Sequence, residues 1–194
     1  MNTKQKGNTF ERDCSRMLSL WWTNGKRDDA IWRSASSGAL TTVGKGRYLE
    51  HSGDFAATDE EATLLFKHVI IEAKRGYNRY SMQDLLDVPI ESQSKNPVWQ
   101  MVTKLGQSCY EQGKLGMLIW KRDRRVTLVF LRNHPSKGVA WPCDVCWYTL
   151  LDPDGVKLRG MPWSVFESTV SADRLRSWLT PPVSSSTGMP TTPS

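Results

Sequence analysis

The residues of this sequence best suited to catalysis are two carboxylates and a lysine: Asp54, Glu72 and Lys74. Glu72 and Lys74 end an apolar run, 69–75, whose side chains would alternate between the two faces of a β-strand, so both polar groups share one face. The polar residues 59–63 lie midway between Asp54 and Glu72 and suit a hairpin turn, which would set the two carboxylates opposite each other. Two carboxylates and one ammonium at the end of a sheet are suited to holding a hard divalent cation on oxygen ligands.

Gly53-Asp54, a spacer and an apolar strand that ends in Glu72-Ala73-Lys74 form a pattern that resembles the PD-(D/E)XK nuclease superfamily. Within that superfamily the chain is most similar to the archaeal and phage Holliday-junction resolvases. Asp54 matches the first acid of the motif, Glu72 the second and Lys74 the lysine, whereas Gly53 stands where the motif has its proline. A Glu–Lys pair exposed on an edge strand is the structural alternative for the same residues.

The resemblance implies a metal-dependent endonuclease that hydrolyses phosphodiester bonds in DNA. One or two Mg²⁺ ions, for which Mn²⁺ would substitute, would be held by Asp54, Glu72, the carbonyl of Ala73 and Glu11. Lys74 would orient the attacking water or stabilise the charge on the phosphate. For a resolvase the substrate would be branched DNA and the enzyme a homodimer. A restriction-type or end-processing nuclease on linear duplex, and a catalytically silent DNA-binding module, are the alternatives.

Glu11 lies on a predicted helix from Asn8 to about Trp22, preceded by a short basic arm at residues 1–6. Apolar residues recur along this helix from Phe10 to Trp21 with helical spacing, and Glu11 falls on the border of the apolar face. An acid at this border can lean into a cleft, and the nucleases that the chain resembles carry such a glutamate. The alternative is an ordinary acid in the first turn, which the helix dipole favours.

Several basic and small residues are candidates for contacts with DNA. Small residues allow close approach of a phosphate backbone, and arginine and serine suit phosphate contacts. Basic residues interleaved with Tyr77 and Tyr80 after the motif also favour nucleic acid. Each candidate has a plain alternative, a ligand-free loop or a solvated lysine. The candidates are Arg33 and Ser36 in a strand-to-loop passage, Lys45 and Arg47 in a glycine-bracketed loop, Arg75 after the motif, and Lys104 on a predicted helix that begins at Asn96-Pro97 and ends at Gly113.

The order of predicted elements is helix, strand, β-hairpin, helix and two strands, the last two at 115–121 and 126–131. This is the αβββαβ order of a restriction-endonuclease-like α/β core, with a mixed central sheet flanked by helices. We expect the nuclease core to span residues 1–132, a small C-terminal α+β extension at 133–180 to pack on it, and a Ser/Thr/Pro tail at 181–194 to be disordered.

The net charge is 26 − 20 = +6, which favours a polyanionic partner. Cys143 and Cys146 form a C-x-x-C, which is half of a zinc site or a redox pair, with His134 as the nearby further ligand, or else two reduced thiols. No apolar run approaches the roughly 20 residues of a membrane span, and Met1–Lys6 leads into a helix without the apolar segment of a signal peptide. We therefore expect a cytoplasmic protein of a prokaryotic or phage-infected cell, without an organic cofactor.

Overall fold

A computed structural model of the protein describes residues 3–34, 50–81, 83–86, 95–134, 140–143, 145–152 and 155–180. The predicted DNA contacts Ser36, Lys45 and Arg47 lie outside these ranges. The helices are α1 (Thr3–Trp22), α2 (Glu60–His68), α3 (Gln83–Leu86), α4 (Pro97–Gln112), α5 (Trp163–Thr169) and α6 (Ala172–Leu179). The strands are β1 (Ile31–Arg33), β2 (Glu50–Ser52), β3 (Phe55–Ala57), β4 (Val69–Arg75), β5 (Leu115–Lys121), β6 (Thr127–Arg132), β7 (Tyr148–Leu151) and β8 (Lys157–Pro162).

A five-stranded mixed sheet in the order β4-β5-β6-β8-β7 forms the centre of the fold. β4 and β5 are parallel, and α4 lies in the crossover between them, as a parallel pair requires. The other neighbours in this sheet are antiparallel. A smaller antiparallel sheet in the order β1-β3-β2 is linked to β4 through a parallel bridge between Gly53 and Ile71. The fold is the mixed α/β architecture with flanking helices that the sequence predicts.

The two faces of the central sheet bury two separate hydrophobic clusters. On β4, Val69, Ile71 and Ala73 belong to the cluster that also contains the apolar faces of α1, α2, α5 and α6. Ile70 belongs to the opposite cluster, which contains the apolar face of α4. Because strand side chains alternate, Glu72 and Lys74 lie on the same face as Ile70 and therefore face α4.

The predicted hairpin between Asp54 and Glu72 is wrong, because residues 60–68 form the helix α2. Asp59 caps this helix by accepting a hydrogen bond from the backbone N–H of Ala62. The acids that we interpreted as a turn therefore stand at the helix start, where the dipole favours negative charge. The chain returns through α2, so the segment at Asp54 meets β4 by a parallel bridge rather than an antiparallel pair.

The first helix also begins earlier than predicted, at Thr3 rather than after Asn8. Its first turns carry polar residues and no apolar face, and Lys6 is held by an ion pair with Asp123 at 3.4 Å. The start of α1 therefore has no apolar periodicity by which the sequence could predict it, and the ion pair between Lys6 and Asp123 joins it to the rest of the fold.

Residues beyond 132 contribute strands to the same central sheet. β8 pairs with β6, and β7 pairs with β8 to form one edge. A fully buried ion pair between Arg132 and Asp152 also joins these segments. The division at residue 132 stays a prediction. No helix in the described part of the chain is long and apolar enough to cross a membrane.

Candidate active site

Asp54 is fixed by backbone contacts on both sides of its peptide unit. Its N–H donates to the carbonyl of Ile71 at 2.9 Å, and its carbonyl accepts from the N–H of Ser34 at 2.9 Å. The preceding Gly53 has φ of 76°, and a Cβ at this residue would lie 2.3 Å from the Ile71 oxygen. Only glycine fits that approach, and proline, whose φ is fixed near −65°, is excluded. This geometry explains why glycine stands in the proline position of the motif.

Lys74 joins the two predicted catalytic carboxylates. Its Nζ lies 3.0 Å from Oδ2 of Asp54 and 2.7 Å from Oε2 of Glu72. All three side chains are mostly buried but keep some solvent access, with exposed fractions of 21% for Asp54, 19% for Glu72 and 29% for Lys74. Burial opposes the charged form of Lys74, but the two carboxylates outweigh it and raise its pKa to about 12. The lysine is therefore an ammonium at neutral pH.

The backbone of Ala73 faces the same cluster. Its N–H donates to Oδ2 of Asp54 at 2.9 Å. Because the N–H and C=O of one strand residue point to the same edge, the carbonyl of Ala73 also lies on the Asp54 side of β4. The Asp54 carboxylate and the Ala73 carbonyl thus lie at the same edge of β4, and Lys74 links Asp54 to Glu72.

Glu11 lies next to this cluster and is paired with Arg33. Oε2 of Glu11 is 2.6 Å from Nη2 of Arg33 and accepts from its Nε at 2.7 Å. Burial raises the pKa of Glu11, the charge of Arg33 lowers it, and the nearby charge of Asp54 raises it again. Glu11, predicted at the border of the apolar face of α1, thus lies close enough to Asp54 and Lys74 for their charges to act on its pKa. Arg33 is itself buried and holds Glu11, so its guanidinium is not presented at the surface.

A cleft of about 280 Å³ opens between β4 and α4 and has Glu72 and Lys74 in its wall. Lys104, predicted to contact DNA, lines this cleft from α4 and is exposed. Arg75, another predicted contact, instead donates to Asp123 from Nε at 3.3 Å and from Nη2 at 3.1 Å. The structure thus brings Lys104 into the same cleft as Glu72 and Lys74 and ties Arg75 to the β5–β6 turn.

Sequence reasoning missed two groups that position the site. Ser34 holds Asp54 through its N–H and donates from Oγ to the carbonyl of Gly53 at 3.0 Å. Asp123 accepts hydrogen bonds from Lys6, Arg75 and Asn78. The preference of glycine for positive φ indicates an unusual backbone at Gly53, just before Asp54, where Ser34 binds. No spacing rule indicates the contacts of Asp123.

The donor set at Asp54 and Glu72 fits a hard divalent cation, because it consists of oxygens and already attracts the positive charge of Lys74. Within the described ranges, no group of three or more His, Cys, Asp or Glu side chains stands close enough to hold a metal ion. The fit therefore rests on two carboxylates and the Ala73 carbonyl, with Glu11 nearby.

The cysteines are free thiols. Cys143 donates from Sγ to the carbonyl of Val145 at 2.8 Å, and Sγ of Cys146 lies 3.2 Å from Oγ1 of Thr149. Burial raises the pKa of the Cys143 thiol. In the part of the chain that the structure describes, these thiols and His134 do not form a zinc-binding cluster.

Comparison with known proteins identifies the family. A family model described as "Phage putative PDDEXK endonuclease" matches residues 2–140. No curated protein and no solved structure matches the chain. The matched range covers well over half of the 194 residues and includes Glu11, Asp54, Glu72 and Lys74. The chain therefore belongs to this family of phage PD-(D/E)XK endonucleases.

Proposed function

We propose that the protein is a divalent-metal-dependent deoxyribonuclease with Asp54, Glu72 and Lys74 at its catalytic centre. The observation that carries this proposal is the contact of one lysine with two carboxylates from separate segments, at the edge of a cleft. A cation bound there would lower the pKa of a water and offset the charge that develops on the phosphate. Asp54, Glu72 and the Ala73 carbonyl would hold it, with Mg²⁺ as the expected ion and Mn²⁺ as a substitute.

The side chains around the carboxylates have distinct roles in this proposal. Lys74 remains positively charged at neutral pH, so it would orient the attacking water or stabilise the phosphate rather than act as a general base. Glu11, held by Arg33, would be the further carboxylate near the metal. Lys104 would contact a phosphate of the bound strand, since it is exposed at the cleft.

We further propose that the substrate is branched DNA and that the enzyme acts as a homodimer in the cytoplasm of an infected cell. The support is the likeness of the motif to that of the Holliday-junction resolvases. A two-fold dimer would present two equivalent sites to opposing strands. The net charge of +6 agrees with a polyanionic substrate.

The test is cleavage of a four-way junction and of a linear duplex of matched sequence in Mg²⁺ and in Mn²⁺. Asp54→Asn and Glu72→Gln should each lower the cleavage rate by about 100-fold or more, because loss of even an outer-shell group at a metal site costs about 10–100-fold. Glu60→Gln is the control, since Glu60 is an exposed acid on α2 away from the cleft.

The outcomes separate the alternatives. Cleavage of both substrates at equal rates removes the resolvase assignment and indicates a nuclease of linear duplex. Binding of DNA without cleavage in either metal, with Asp54→Asn equal to the wild type, indicates a catalytically silent DNA-binding module.

A further inference from the structure

The cleft beside Glu72 and Lys74 combines a charged end with an apolar wall. Its charged groups are Glu72, Lys74 and Lys104, which suit a phosphate and a cation. The remaining lining is largely apolar or aromatic, and the polar and charged groups of a sugar–phosphate backbone do not bind favourably to such a surface. The apolar part comprises Tyr77, Pro97, Met101, Leu105 and Leu118.

Tyr77 is held in a conformation that L-residues seldom adopt. It has φ of 57°, directly after Gly76 with φ of 107°. A left-handed conformation costs a non-glycine residue about 1–2 kcal/mol and persists only where the surroundings impose it. Three hydrogen bonds impose it here: Gly76 N–H to the Lys121 carbonyl at 3.0 Å, Trp120 Nε1 to the Gly76 carbonyl at 3.2 Å, and Tyr80 N–H to the Tyr77 carbonyl at 2.9 Å.

The turn after Tyr77 is tied to the β5–β6 turn by a reciprocal pair of contacts. Asn78 donates from Nδ2 to Oδ2 of Asp123 at 3.2 Å, and the Asp123 N–H donates to Oδ1 of Asn78 at 2.8 Å. Tyr77 nevertheless stays 43% exposed. An aromatic ring on an anchored backbone, exposed at a cleft, can bind a flat apolar group with little loss of conformational entropy.

We propose that this cleft binds an unpaired nucleobase next to the phosphate that is cleaved, with the base stacked on Tyr77. The proposal rests on the proposed nuclease function and specifies its substrate. Lys74 and Lys104 at the cleft complement the phosphates on either side of such a base. The cleft of about 280 Å³ is near the small end of small-molecule pockets, which begin at about 300 Å³, and so suits one base.

The same geometry selects the class of DNA. In an intact duplex each base is paired and stacked on its neighbours, and only its edge is accessible in a groove. A base can reach the apolar wall only where it is single-stranded, unpaired at a branch, or extruded. The preferred substrate is therefore DNA with unpaired nucleotides at the cleavage site.

Binding of two single strands of equal charge tests the proposal directly. The probes are a fluorescein-labelled oligothymidylate of about 12 nucleotides, within the site sizes of single-strand binders, and a strand of equal length made only of abasic residues. Affinities are measured by anisotropy with the full chain and without divalent metal, so that no strand is cleaved. Because stacking on one aromatic contributes about 1–3 kcal/mol per base, the wild type should prefer the thymidylate about 10-fold.

Variants of Tyr77 show whether this residue causes the preference for the thymidylate strand. Tyr77→Ala should abolish most of it while leaving affinity for the abasic strand unchanged, and Tyr77→Phe should retain it. Tyr110→Ala is the matched control, since Tyr110 is an exposed tyrosine, 68% accessible, on α4 but outside the cleft lining. Equal urea-unfolding midpoints for Tyr77→Ala and Tyr77→Phe show that the comparison concerns binding rather than folding.

Three results would overturn the base site: no binding of either strand, equal affinity of the wild type for both, or a preference unchanged in Tyr77→Ala. If the wild type still cleaves DNA and Asp54→Asn does not, the nuclease function stands although the base site fails. If the wild type cleaves no DNA, the nuclease function fails, and the anisotropy data alone decide the base site.

Discussion

Replacement of Lys74 by methionine removes a charge that the two carboxylates hold in place. Methionine is similar in length and keeps the apolar stem, so the principal change is the loss of the ammonium. In the metal-free protein, Asp54 and Glu72 are then left as two partly buried carboxylates without their shared partner. We therefore expect Lys74→Met to unfold more easily than the wild type.

The magnitude follows from the pKa of Lys74, which rises from 10.5 to about 12. Each pKa unit corresponds to about 1.4 kcal/mol, so the ammonium contributes about 2 kcal/mol to the free energy of unfolding. Because the folded pKa is the higher one, this contribution is complete below pH 10.5 and is lost as the pH rises towards 12. The difference between wild type and variant should thus be constant from pH 6 to 9 and shrink above about pH 10.5.

Urea unfolding without metal and with Mn²⁺ measures both parts of the prediction. Mn²⁺ should stabilise Lys74→Met more than the wild type, since no ammonium competes with the cation for the carboxylates. Lys67→Met, which removes an exposed lysine on α2, is the control and should change neither quantity. A Lys74→Met protein as stable as the wild type, or one that Mn²⁺ does not stabilise, would refute the reasoning.

Three further substitutions test the contacts that position the site. Gly53→Ala should lower the unfolding free energy by more than the roughly 1–2 kcal/mol of a left-handed alanine and should also slow DNA cleavage. Gly25→Ala is the control, since Gly25 has φ of 79° with open space around it and should show only the conformational cost. Equal costs of the two substitutions in urea unfolding would contradict the close approach of Gly53 to Ile71. Asp123→Asn should destabilise the protein at pH 7 and by less as the pH falls below 3.8, because Arg75, Asn78 and Lys6 lower the pKa of Asp123 and its contribution is lost as the carboxylate is protonated. A difference in urea midpoint that does not shrink as the pH falls would argue against this ion pair. Arg33→Met should lower the free energy of unfolding by about 3 kcal/mol, because it leaves the Glu11 carboxylate unpaired. In a double-mutant cycle, adding Glu11→Gln should recover part of this loss. Additive losses would indicate that the two residues are not coupled.

Local sequence rules predicted the elements whose signals are local. The cap at Asn96, the proline at the start of α4 and the left-handed Gly113 at its end agree with the structure. Period-two alternation correctly placed Glu72 and Lys74 on one face of β4 and Val69, Ile71 and Ala73 on the other. Each of these features depends on a few neighbouring residues, so the sequence contains the information directly.

The predictions that failed have two causes: a local pattern that suits two structures equally well, and contacts between residues far apart in the sequence. Asp59 and the acids after it suit both a turn and a helix start, and the burial of Leu65 and Phe66 in the core favours the helix. Arg33 has the chemistry of a phosphate contact, but its burial against Glu11 depends on the packing of α1 beside β1. Spacing along the chain does not indicate which of several charged residues will meet in this way.

The most direct test of the central claim is an anomalous difference map from a crystal of the protein soaked in Mn²⁺. The account predicts a peak between Asp54 and Glu72, about 2.0–2.3 Å from an oxygen of each and close to the carbonyl of Ala73, with Lys74 moved away from at least one carboxylate. A map with no peak at this position, in which both carboxylates remain on Lys74, would contradict the assignment of this site as the metal-dependent catalytic centre.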